Sequence, residues 1–215
     1  MKPYVMIIIL VVVLAIAVFV WYNAIKASQK SGKIRRQMMA KLDRFNALSA
    51  RYATLIKDEL EGMDNADLFD VAIIRIWKKL GSAEEELENF KALSADEKSI
   101  YTTWYIREEI INDGFSSYFR NCGTALGDIS VDALRALDLS ALADIMERAC
   151  VMFDAESEVS CDKNDIAAID AEFKLAYNPD EYSAAAAAFI RSHCDAFVDS
   201  ASELVEIGEA EAENE

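Results

Sequence analysis

Hydrophobic positions fall into two regimes along the chain. From Tyr4 to Tyr22 they are almost continuous, and no charged residue occurs between Lys2 and Lys26. A helix of that length rises about 28 Å, close to the hydrocarbon thickness of a bilayer. Trp21 and Tyr22 close the run where interfacial aromatic residues belong. It exceeds the usual apolar stretch of a cleaved leader, and no small-x-small site follows it directly. It therefore reads as an uncleaved transmembrane helix over residues 1–25.

Beyond the run the pattern becomes periodic. Ser28 to Gly32 is a polar, hinge-like stretch. Ile34, Met38, Leu42, Phe45, Leu48, Tyr52 and Leu55 then recur at spacings of three and four, which predicts one amphipathic helix within a basic segment over 26–66. Residues 67–206 read as a run of helices. The first covers Asp67 to Leu80 and stops at Gly81, and a short acidic one follows over Ala83 to Leu93. Ser94-Ala95-Asp96-Glu97 is a capping box that opens a helix ending at Asp113-Gly114. Ser130 and Ser140 stand where caps belong for Val131 to Leu137 and Ala141 to Phe153. Asn164 to Tyr177 and a last helix with Pro179 in its first turn complete the set, the latter running past Phe197 toward Leu204. Asp154 to Lys163 is an acidic loop, and residues 207–215 form an acidic tail. No strand pairs are visible. The predicted fold class is all-α: an N-terminal transmembrane helix followed by a single acidic multi-helix domain.

Charge sharpens this division. Eight basic residues precede Phe45 against one acid, Asp43, whereas 14 basic and 37 acidic residues follow. Seven basic residues lie just after the apolar run, so the positive-inside rule places the C-terminal domain in the cytoplasm and the N-terminus outside an inner (plasma) membrane. The basic segment suits an anionic lipid surface. The acidic domain would repel phosphate, which excludes direct binding of DNA or RNA. A hydrophobic content of 53% is ample for a core. Cys122, Cys150, Cys161 and Cys194 are widely spaced and read as reduced, mostly buried residues. With a single histidine, no zinc site or other cofactor is expected.

Candidate chemistry is sparse. Glu108, Glu109 and Asp113 form the one acidic group near a distinctive motif, a possible acidic binding surface. Adjacent helical residues diverge, however, and a catalytic carboxylate pair needs convergence from separate elements. His193 lies among Phe189, Ile190, Phe197 and Val198 at helical spacing, the setting of a hydrogen-bonded, partly buried histidine. No phosphate-binding loop, dinucleotide turn or nucleophile elbow is present. The chain is not expected to be an enzyme.

The distinctive motif is Ile110-Ile111-Asn112-Asp113-Gly114-Phe115-Ser116-Ser117-Tyr118-Phe119-Arg120-Asn121. Physically it is a helix stop followed by an aromatic anchor. Gly114 permits positive φ, Phe115, Tyr118 and Phe119 share one helical face, and Asn112 and Asn121 can satisfy free backbone groups. The segment resembles the E-x-x-N-G-G-F-x-Q-Y-F-x-N signature of a bacterial helical domain of unknown function, shared with a small acidic family described as a DNA mimic. Ala133 to Leu137, Ala149 to Phe153, Ile169-Asp170-Ala171-Glu172-Phe173 and Phe189-Ile190-Arg191-Ser192-His193 resemble its later elements, so that the likeness covers roughly residues 67–197. Asp113 replaces the first Gly of the signature, and Ser117 its Gln. Asp tolerates a left-handed turn.

The resemblance implies a membrane-anchored acidic protein-binding module. In its sharper form, carboxylates imitate a row of phosphates and occupy a basic DNA-binding protein on the cytoplasmic side. The alternative is a membrane-tethered scaffold or assembly protein, self-associating or docking a partner through apolar surface.

Overall fold

A computed structural model describes residue 36 and residues 38–82, 84–121, 126–154 and 162–199. The chain divides into two units, Met1–Ala47 and Leu48–Glu215. Among the described residues all regular structure is helical, and no helix is long and apolar enough to cross a membrane. The predicted anchor over 1–25 lies outside the described residues, as do the acidic tail over 207–215, Cys122, Cys161 and most of the predicted acidic loop.

Helix α1 covers residues 38–51, and Met38, Met39 and Leu42 on it are exposed. The predicted stripe reached Leu55, but the helix stops at Arg51. Leu55 is instead buried in the following segment, where its backbone pairs with Asp199. A short helix α2 (Lys57–Gly62), which periodicity did not reveal, leads into α3 (Asn65–Leu80).

Helix α3 forms because Asp64 caps its first turn, accepting from the amides of Ala66 at 2.9 Å and Asp67 at 3.4 Å. It ends because Gly81 takes a φ of 70° and donates to the Trp77 carbonyl. Between these stops it is apolar on more than one face. Leu68, Phe69, Ala72, Ile73 and Ile76 are all essentially inaccessible. Each large side chain among them contributes about 1.5–3 kcal/mol through removal from water. This suits a central helix, and α3 packs against both α5 (Ala95–Asp113) and α10 (Pro179–Ser192). Helix α4 (Glu86–Ala92) lies beside α3.

The predicted capping box opens α5. Ser94 Oγ accepts from the Glu97 amide at 3.2 Å, and Glu97 accepts from the Ser94 amide at 2.9 Å. Glu97 also receives Lys79 at 2.6 Å, which joins α5 to the end of α3. Burial pushes this carboxyl up, but Lys79 and the cap outweigh it and leave Glu97 below the usual carboxylate range.

Helix α6 (Phe115–Asn121) and α7 (Ser130–Ala136) pack on the other side of α5. Helix α8 (Ser140–Phe153) packs on α7, and α9 (Lys163–Ala176) bridges α8 and α6. Ser130 and Ser140 are not caps: each is the first helical residue and neither caps a free amide. Ser130 is fully buried and turned inward. The last helix also stops earlier than predicted, at Ser192, and a 3-10 turn over Cys194–Ala196 follows. Beyond it Asp199 clasps the start of the unit. Its carboxylate accepts from the Leu55 amide at 2.7 Å and pairs with Arg75, while its own amide donates to the Leu55 carbonyl.

Candidate functional site

The motif singled out in the sequence becomes a junction of five helices, α5 to α9. At the end of α5, Gly114 has a φ of 80°, and its amide donates to the Ile110 carbonyl at 3.1 Å. A Cβ at this position would stand 2.5 Å from Asp170 Oδ2. Two independent reasons thus demand glycine: the left-handed backbone and the carboxylate pressed against its α-carbon. Asp113, expected to help make the left-handed turn, is instead the last residue of α5, and positive φ falls on Gly114 alone at this junction.

The same Asp170 caps the next helix from afar. Its Oδ1 accepts from the Phe115 amide at 2.8 Å, across 55 positions of sequence. One turn along α9, the Phe173 ring meets Phe115 edge to face at 5.4 Å. The Asp170 and Phe173 positions therefore act as one clamp on Gly114 and Phe115.

Phe115 and Tyr118 are fully buried, and Phe119 is half-buried, stacked on Phe153 at 4.8 Å. The Tyr118 ring leans on Tyr105, and its hydroxyl lies 2.5 Å from Ser130 Oγ. Ser130 in turn donates to the Leu126 carbonyl at 2.6 Å, so Tyr118 is the donor to Ser130. This buried relay explains why Ser130 faces inward rather than capping α7.

The polar residues of the motif largely satisfy one another. Glu109, at the signature's Glu position, accepts from Ser117 Oγ at 3.2 Å and from Asn121 Nδ2 at 3.0 Å. Asn112 donates to the Glu108 carbonyl at 2.6 Å within its own helix. Glu108 receives Arg107 at 3.0 Å, and the Arg107 guanidinium lies 3.8 Å from the buried Asp70 and over the Phe69 ring. Glu108 and Glu109 thus engage different partners, and Asp113 stands exposed beside them. His193 is exposed at the end of α10, with Nδ1 2.9 Å from the Phe189 carbonyl and its ring stacked on Phe189.

Among the described residues no group of three or more His, Cys, Asp and Glu side chains is placed to hold a metal ion. Cys150 and Cys194 are free thiols, and burial pushes Cys150 up from its ordinary pKa. A cleft of about 520 Å³ is lined by Lys57, Leu60, Glu61, Arg191 and Cys194. Its Arg191 guanidinium is already committed to the carbonyls of Leu60 and Met63 and to Asn65 Oδ1.

Residues 91–193 match the family described as DMP19-like protein. The matched span runs from the end of α4 through α10, so the whole Gly114–Asp170 junction lies inside it. Helix α3 and the Asp199 clasp lie outside, a narrower reach than the sequence likeness over 67–197. No curated protein and no solved structure matches the chain. Within the matched region, Asp170, Arg107 and Arg191 make contacts that the sequence pattern did not foretell, and Ser130, expected to cap a helix, is instead a buried relay. Asp170, three positions before Phe173, and Arg191 each stood in an element that resembles the family.

Proposed function

We propose that this chain is a protein-binding module, not a catalyst, held at a membrane by the apolar segment over residues 1–25 with its acidic domain in the cytoplasm. The match of residues 91–193 to the DMP19-like family carries the reading. In the sharper form, which rests on the resemblance to the DNA-mimic family, the domain's carboxylates stand in for phosphates and occupy a basic DNA-binding protein. The balance of 37 acidic against 14 basic residues beyond Arg44 supplies the necessary field. The bonds of Glu109 to Ser117 and Asn121 support a structural part for the motif.

One observation favours the alternative, a scaffold docking through apolar surface. Trp77 at 36% exposure meets the half-buried Trp104 edge to face at 5.0 Å, with the half-buried Tyr105 beside Trp104. Salt separates the two, because screening weakens an acidic mimic and leaves apolar docking intact. The test is capture of lysate proteins on the full chain in detergent, at low and high salt. DNA-binding proteins held only at low salt and displaced by added duplex are expected. Partners that resist salt and ignore DNA would replace mimicry with the scaffold.

A further inference from the structure

We infer that α1 is a second membrane contact: a basic amphipathic helix that lies on an anionic lipid surface. The inference rests on the membrane reading above only for the helix's proximity to a bilayer, and it is tested separately. Met38 is 71% exposed, Met39 50% and Leu42 52%, an apolar load that few surface helices carry. At about 100° per residue, Met38, Leu42 and the half-buried Phe45 share one face of α1.

Charge identifies the occupant of that face. Arg36, Lys41, Arg44 and Arg51 lie on or beside the helix against the single acid Asp43, in a chain whose net charge is −16. On the helical wheel Lys41 lies about 60° from Met38 at the border of the apolar stripe, whereas Arg36, Arg44 and Arg51 share the opposite, polar face with Asp43, about 120° or more from Met38. An apolar stripe opposite a polar face that carries three basic residues against one acid suits a helix seated at the headgroup level of a bilayer containing acidic lipids. Position agrees, since α1 begins a short stretch after the uncharged run that ends at Ile25.

The experiment is hydrogen exchange on the full chain, reconstituted with phosphatidylcholine vesicles alone or with phosphatidylserine added, together with flotation of the vesicles. Amides of residues 38–48 are expected to exchange about tenfold more slowly with phosphatidylserine present, and the difference to shrink at high salt. The double variant Met38→Gln/Leu42→Gln should lose that protection while exchange in α3 and α5 stays unchanged. Equal exchange in both lipids, or protection that follows protein concentration without vesicles, would overturn the inference. Flotation reports on the anchor independently. A chain that floats with phosphatidylserine but not with phosphatidylcholine, with 38–48 protected, would sink the anchor and keep the helix contact. Flotation in both without protection would do the reverse.

Discussion

At Gly114 the backbone and a distant side chain impose the same demand. Replacing it with Ala forces a β-carbon into a left-handed position, at about 1 kcal/mol, and drives it into the Asp170 carboxylate. Gly114→Ala is expected to lower unfolding free energy by about 2 kcal/mol or more in urea titrations. Asp170→Ala should cost about 1 kcal/mol, the usual loss for a helix cap. If the two effects share their cause, Gly114→Ala in the Asp170→Ala background should cost less than it does alone; strict additivity would show that the close approach is immaterial. The buried relay allows a second test at this scale. Tyr118→Phe leaves Ser130 still donating to Leu126 and should cost about 1 kcal/mol, whereas Ser130→Ala strands two buried oxygens and should cost roughly twice that. Sequence pattern shows Gly114 as a stop and Phe115, Tyr118 and Phe119 as one face. It is blind to Asp170, because the partner of a cap 55 positions away leaves no periodic trace. Ser130 misled for a related reason: a serine before a helix looks the same whether its hydroxyl turns to a free amide or into the core.

Elements in this domain are held in place by a few polar staples laid over ordinary apolar packing. Arg191 on α10 donates to Leu60 O at 3.0 Å, Met63 O at 2.7 Å and Asn65 Oδ1 at 2.9 Å, and so fixes the link between α2 and α3. Arg191→Ala should destabilise by about 3 kcal/mol, and Arg191→Lys should recover little, because an ammonium cannot reproduce the planar fork. A urea series on the two variants checks both. The Asp199 clasp adds a pH dependence. Burial pushes its carboxyl up, but Arg75 and the Leu55 amide outweigh that and hold it below the ordinary 3.8. A group depressed in the folded state contributes fully above its unfolded pKa and loses its contribution as pH falls through the folded value. The stability gap between the native chain and Asp199→Asn should therefore be constant near neutrality and close as pH drops below about 4. A gap that persists into that range would mean the carboxylate's charge is not what holds the strap. Helix existence was largely legible in the caps, as Ser94-Glu97, Gly81 and Asn178-Pro179 all act as their residue types suggest. The end of the last helix was not, because Phe189 to Phe197 keeps an apolar rhythm through the 3-10 turn, and the contacts of Asp199 with Leu55 and Arg75 leave no periodic trace.

For the molecule as a whole, the span that matches the DMP19-like family and the span that buries a core are different. Residues 91–193 include α5 through α10, yet α3, the most completely buried helix, lies before them and packs on both α5 and α10. Removing α3 would expose the apolar faces it covers, and would leave Arg191 without its acceptors on the α2–α3 link. Burial on that scale exceeds the few kcal/mol by which a domain of this size is stable. A fragment of residues 91–193 should therefore keep helical far-ultraviolet circular dichroism but bind hydrophobic dye and melt without cooperativity. The fragment 48–199, which restores α3, Leu55 and Asp199, should unfold in one cooperative transition. Cooperative melting of the shorter fragment would show that the matched region closes its own core and that α3 is an addition to it. The predicted outcome makes α3 the covering that this chain supplies to the region that matches the DMP19-like family.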